Sequence, residues 1–241
     1  MGFFLKWLIL SRLLGSPLGA LAALVIGGLV IDRLTLGLLP RPLRGLGRWR
    51  RRVELQRILR NNPLDRRARF ELADQLQRSR PTLAMDLLRV NLEAGDTDPG
   101  TLLVMGVACF RARHSAQAEI FLSEAIKQQP QFRNGALWLE LGRGQLESGD
   151  ARGAIESLRK LLSMRPGSIE GKVLLARALA AVDDDSGAAA LRAQAWSDYR
   201  SAPPFQRREE RLWAYRAQPW RAIPWLAGLV LLMIGVWWWK G

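Results

Sequence analysis

Residues 135–166, G-A-L-W-L-E-L-G-R-G-Q-L-E-S-G-D-A-R-G-A-I-E-S-L-R-K-L-L-S-M-R-P, constrain the fold more than any other stretch of this chain. Their spacing predicts two antiparallel helices joined by a sharp turn. Trp138, Leu141 and Gly142 share a face of the first helix, and Ala154, Leu158 and Leu161 share a face of the second. Gly149-Asp150 makes the turn, because glycine accepts the positive φ that a tight helix–helix connection requires. Gly142 presents no side chain, so the second helix approaches closely there, and Ala154 allows the same from the other side. Pro166 closes the unit. One such pair cannot bury its own apolar face, so neighbours must stack against it.

The neighbours are visible. In 99–130, Leu102, Met105 and Gly106 repeat the first-helix pattern, and Ala118, Leu122, Ala125 and Pro130 repeat the second. Arg133 and Asn134 are extra residues between these two units. Earlier, Pro63 ends a turn. Leu72, Ala73 and Leu76 then fit a first helix, and Ala84 and Leu88 its partner, with the register displaced by one across Arg80-Pro81. Later, Leu175, Ala176 and Leu179 fit a first helix. Residues 186–199 supply a second, with Asp183-Asp184-Asp185 as turn and N-cap.

On these residues the chain resembles the tetratricopeptide repeat (TPR) family, whose units are helix pairs of about 34 residues. The resemblance covers roughly 64–200 and is strongest in 135–166. It implies an all-α fold, a TPR-like α-solenoid of three to four helix pairs. Weaker patterns at both ends suit terminal repeats, which act as caps.

The remaining sequence suggests membrane helices flanking that solenoid. Residues 13–31 and 222–239 carry no charge, and each is near the roughly 20 residues that cross a bilayer. Trp220, Trp225 and the run Trp237-Trp238-Trp239 bracket the second segment like interfacial belts. The first is read as a spanning helix in preference to one lying in the membrane surface; Arg12 and the long apolar continuation argue against a cleaved leader. The arginines cluster after the first segment and before the second, which places 32–221 in the cytoplasm by the positive-inside rule. The expected division is therefore a membrane segment at 1–31, a basic juxtamembrane segment at 32–63, repeats at 64–200, a basic juxtamembrane linker at 201–221 and a transmembrane helix at 222–239. The expected localisation is an integral protein of a bacterial inner membrane. The arginine-rich flanks would also favour anionic lipid.

The formal charge is +14 and the pI about 11.3. Such a balance raises nucleic-acid binding. Much of the excess lies in the two flanking segments, and aromatic stacking platforms do not interleave with it, so no nucleic-acid partner is expected. Catalytic, metal and cofactor sites are not expected either. His114 is the lone histidine and falls in an inter-helix turn. Cys109, the lone cysteine, occupies an apolar helix position. Asp183-Asp184-Asp185 lacks the glycine and distal glutamate of a calcium loop.

The TPR resemblance implies peptide binding on the inner surface formed by first helices. Carried over residue by residue, its positions are Leu103, Val107, Phe110, Leu139, Arg143, Leu146, Val173 and Arg177. Arg143 and Arg177 fall at equivalent places in successive units, where they could grip a carboxylate together. The Lys/Asn carboxylate clamp of chaperone-binding relatives is not matched, because Phe70 and Asp74 stand at its first-unit positions. The implied function is a membrane-tethered scaffold or adaptor for protein–protein interaction and complex assembly, with partner proteins or acidic peptide segments as ligands. The alternative is an integral accessory subunit of a larger membrane complex.

Overall fold

The computed structural model describes residues 42–222. The chain divides into two compact units, 1–45 with 219–241, and 46–218. The expected membrane segment 13–31 and residues 223–239 of the second lie outside the described residues. Among the described residues no helix is long and apolar enough to cross a membrane. The one helix with the reach to do so, α1 (Pro42–Asn61), carries Arg48, Arg50, Arg51, Arg52, Arg57 and Arg60, charges that each oppose entry into hydrocarbon. The expectation of an integral inner-membrane protein is corrected accordingly and is not retained.

Residues 46–218 are a stack of helix pairs. The first pair is α2 (Arg66–Leu76) and α3 (Pro81–Glu93), the second α4 (Pro99–Arg111) and α5 (Ser115–Gln128). The third is α6 (Ala136–Ser148) and α7 (Ala151–Met164), the fourth α8 (Ile169–Ala180) and α9 (Asp185–Ser201). The helix α10 (Pro204–Ala217) and a short 3₁₀ turn (Pro219–Ala222) follow. All described regular structure is helical, as the leucine- and alanine-rich pattern predicts.

Local chemistry sets the boundaries. Asp65, Asp150, Ser168 and Asp184 are N-caps whose side chains accept from the backbone N–H three residues on, satisfying donors that the helix leaves open. Pro81, Pro99 and Pro204 occupy first-turn positions, where the missing N–H costs nothing. The extra residues before the third pair form a left-handed run: φ is 44° at Arg133, 55° at Asn134 and 83° at Gly135. Gly149 ends α6 at φ 96°, the positive value that the α6–α7 turn calls for.

The register agrees with the sequence pattern. Ala84, Leu88, Ala118, Leu122, Ala125, Ala154, Leu158 and Leu161 are fully buried on second helices. Each leucine removed from water contributes about 1.5–3 kcal/mol. They pack against the small first-helix positions. A Cβ built on Gly106 would stand 2.6 Å from Leu122 Cγ, and one on Gly142 would stand 2.7 Å from Leu158 Cγ. Each glycine therefore holds the separation of its own helix pair.

Two helices cap the stack. In α1, Leu55 is buried in the core of the first pair, with Ile58 and Leu59 beside it. The stretch read from sequence as a linker holds α10, which packs on α8 and α9 through buried Ala214 and Ala217 and half-buried Trp213.

Candidate functional site

First helices of successive pairs touch one another: α2 with α4, α4 with α6, α6 with α8. Among the described residues, second helices touch only first helices and the cap. The chain therefore converges along the first-helix side, which is the inner face of the stack.

The structure brings the expected binding residues to that side, but most are not free there. Leu103, Val107, Leu139 and Val173 are buried. Leu103 and Val107 join the core between the second and third pairs. Val173 packs with α10 residues Ala214 and Ala217. Phe110 and Leu146 are half-buried. The Phe110 ring lies over Gly144 of the next first helix, where a side chain would collide with it. Arg177 is exposed.

Arg143 is buried and already partnered. Its guanidinium donates to Glu140, at 2.6 Å, and to Glu170 of the following pair. Burial opposes the charge of this guanidinium; Glu140 and Glu170 outweigh it and hold the pKa above the usual arginine range. Glu140 also accepts from Arg78 Nη2 at 2.8 Å. Arg78 belongs to the turn after α2, so this contact links the first pair to the third. Arg111 and Glu147 add a pair at 3.3 Å. At the end of the stack nearest α1, Arg51 donates to both carboxylate oxygens of Glu71 at 2.6 Å, and that hydrogen bonding lowers the Glu71 pKa. The inner face is thus a self-paired ladder of arginine and glutamate, with Phe110, Leu146 and Arg177 as its accessible members. Arg143 and Arg177 do not act as a symmetric clamp in this arrangement.

Sequence reasoning missed Glu140, Glu170 and Arg78. The Glu140–Arg143 spacing of three residues was a usable signal. The contacts from Arg143 to Glu170 and from Arg78 to Glu140 depend on how pairs stack, and no local pattern announces them.

Among the described residues no cluster of His, Cys, Asp or Glu could hold a metal ion. Cys109 is buried, and burial pushes its thiol up to about 11. Asp184 is a helix cap. His114 is the exposed residue preceding α5.

Known structures share this architecture. A MamA crystal structure is 19% identical over 61% of this chain and 85% of its own, with a TM-score of 0.54. A MamA RS-1 double mutant is 17% identical, covering 67% of this chain and 90% of its own, with a TM-score of 0.57. A thermophilic TPR protein of Thermus thermophilus is 23% identical over 77% of this chain and 97% of its own, with a TM-score of 0.54. No family model and no curated protein matches the sequence. At these identities the likeness shows the fold, a TPR-like stack of helix pairs.

Proposed function

We propose that this chain is a protein–protein interaction scaffold that holds a partner segment against the inner face of its helix stack. The observation that carries the reading is that half-buried Phe110 and Leu146 and exposed Arg177 stand on three successive first helices, on a face otherwise locked by its own ion pairs. An apolar floor beside an exposed cation suits a partner segment that combines an apolar and an acidic residue. Arg143 serves this surface by positioning: it fixes α6 against α8 and leaves Arg177 as the available charge. The bound partner, not chemistry on the chain itself, is the product of this architecture.

The test is affinity purification of the full chain followed by mass spectrometry, alongside a Leu146→Asp/Arg177→Glu variant. The expected result is a reproducible partner set that the variant loses while circular dichroism stays unchanged. The same partners on a folded variant would move the binding site to another face.

A second reading has its own support. Leu46, Trp49 and Val53 are exposed on α1, and Phe205 and Leu212 are exposed on α10. Large apolar residues on both capping helices suit a subunit built into a bigger assembly. Such a subunit would lose its fold or aggregate when purified alone, which a scaffold would not.

A further inference from the structure

We propose that the cleft between the first two helix pairs is an anchor site for an aromatic side chain of a partner peptide. The proposal rests on the scaffold reading above and adds the chemistry of what is recognised. The cleft has a volume of about 560 Å³ and is lined by Arg66, Arg67, Phe70, Asp96, Asp98, Pro99, Gly100, Thr101, Gln129 and Phe132. That volume falls in the range of ligand-holding clefts.

Its walls come from two separate cores. Phe70 of α2 borders the core shared by the first and second pairs, and Phe132, in the connection after α5, borders the core between the second and third. The tips of both rings converge above Gly100 of α4. A Cβ built there would lie 3.7 Å from the Cζ atom of each ring, an ordinary contact. An alanine would therefore fit, and anything longer would enter the cleft. The equivalent first-turn position is Ala136 in the third pair and Glu170 in the fourth, so of these three seams this one keeps the space open. The two half-buried rings present their tips to the gap, while the Arg133 guanidinium sits over the Phe132 ring, 5.1 Å from its centroid; their edges remain for a third ring, in the edge-to-face contact aromatic groups favour.

The rim selects a peptide over a free charged ligand. Arg66 is engaged, donating to the Ala94 carbonyl at 2.8 Å. Asp96 is engaged by Thr101 Oγ1 at 3.2 Å and by the Asp98 N–H at 3.4 Å. Arg67 and Asp98 are both exposed and have opposite charge. Together they offer one donor group and one acceptor group, which match the carbonyl and N–H of a peptide main chain on either side of an anchor residue. A ligand of a single charge would be attracted by one and repelled by the other, and so would gain little from the pair.

The experiment pans a random peptide display library on the full chain and titrates the enriched peptides against wild type and Gly100→Trp, in which the indole fills the cleft. The expected result is a shared aromatic residue among the enriched peptides. Its replacement by alanine in the peptide weakens binding at least about tenfold, and Gly100→Trp does the same. The peptide-side replacement keeps the test valid if Gly100→Trp fails to fold. Enriched peptides without an aromatic residue, or with unchanged affinity for folded Gly100→Trp, overturn the anchor site and leave the scaffold reading standing. A library that yields no binding peptide overturns both.

Discussion

The two middle helix pairs and the two outer pairs solve the same packing problem with different chemistry. At the position of Trp138 in the third pair, the second pair has Leu102, whereas the outer pairs have Arg69 and Lys172, both buried. Where the middle pairs have Gly106 and Gly142 against a leucine, the outer pairs have Ala73 and Ala176. Where the second and third pairs bury Ala125 and Leu161, the first buries Asn91, whose amide donates to the Arg66 carbonyl at 3.1 Å. Within each middle pair the two helices are held by close approach of apolar surfaces. The ends are held by long or polar side chains that reach a specific partner: Arg69 the Leu64 carbonyl, at 3.2 Å, and Lys172 the Asp198 carboxylate. A repeat stack needs such a gradient, because an end pair that copied the middle would present an adhesive face to the next copy.

The contrast is sharpest at one repeat position, where Arg143 is buried and Arg177 is exposed. Arg143→Ala leaves Glu170 without its guanidinium, on a side chain only 20% exposed. The expected loss is about 3 kcal/mol, the scale for breaking a buried pair. Arg177→Ala at the equivalent place should change stability by less than about 0.5 kcal/mol. Urea unfolding of the full chain measures both. Equal losses would mean that the two arginines do the same work, and the distinction between middle and end would fall at this position.

A somewhat smaller effect is expected at Gly142. Leucine there meets Leu158 within the third pair, and overpacking should cost about 1–3 kcal/mol. Ala176→Gly at the equivalent place in the fourth pair should cost only about 1 kcal/mol, through helix propensity. Thermal melts rank the two, and an unchanged melting temperature for Gly142→Leu would show that the middle pairs tolerate separation after all.

The contrast also explains what the sequence made legible. Positions such as Gly142, Leu158 and Leu161 announce themselves because apolar spacing within one helix pair is local information. So does the Asp184 cap, fixed by its own turn. The caps of the stack did not announce themselves. Helix α10 buries Ala214 and Ala217, residues too small to make an apolar stripe among Arg207, Arg208, Arg211 and Arg216. Helix α1 sends one fully buried leucine, Leu55, into the core from an arginine-rich sequence. At the candidate site, Leu103, Val107, Leu139 and Val173 lie on first helices, and their burial follows from the stacking of pairs and from α10, which no window of sequence shows. Of the two partners of Arg143, Glu140 follows a helical spacing, but Glu170 lies 27 residues away, beyond any such rule.

Cys109 reports on the middle from inside. Its thiol is raised from an ordinary value of 9.0 to about 11 by burial. The folded chain therefore keeps the proton that the unfolded chain gives up first. Stability is unaffected below pH 9 and falls as pH rises from there toward 11. At about pH 9.5 wild type should lose close to 1 kcal/mol relative to its own Cys109→Ala variant, beyond any difference at neutral pH. Stability profiles of the two proteins that ran parallel through this range would show that the site admits water. The same burial predicts that thiol reagents label Cys109 only through unfolding of the second pair.

A small effect is also expected where the fourth pair buries a charge. Lys172 is buried beneath α9, and its ammonium meets Asp198, a carboxylate whose side chain is 33% exposed. Methionine has a similar length and shape and would fill the same space. Removing the ammonium returns Asp198 to water, which already reaches it, so little charge is stranded. Desolvating the lysine head also costs free energy that methionine does not spend. The two effects oppose each other, and Lys172→Met should change unfolding free energy by less than about 1 kcal/mol in either direction. The Arg143 pair has no such escape, because both of its carboxylates are more enclosed than Asp198. If Lys172→Met costs as much as Arg143→Ala, the fourth pair depends on its ion pair as the inner ladder does, and its role would be to hold the stack together instead of ending it.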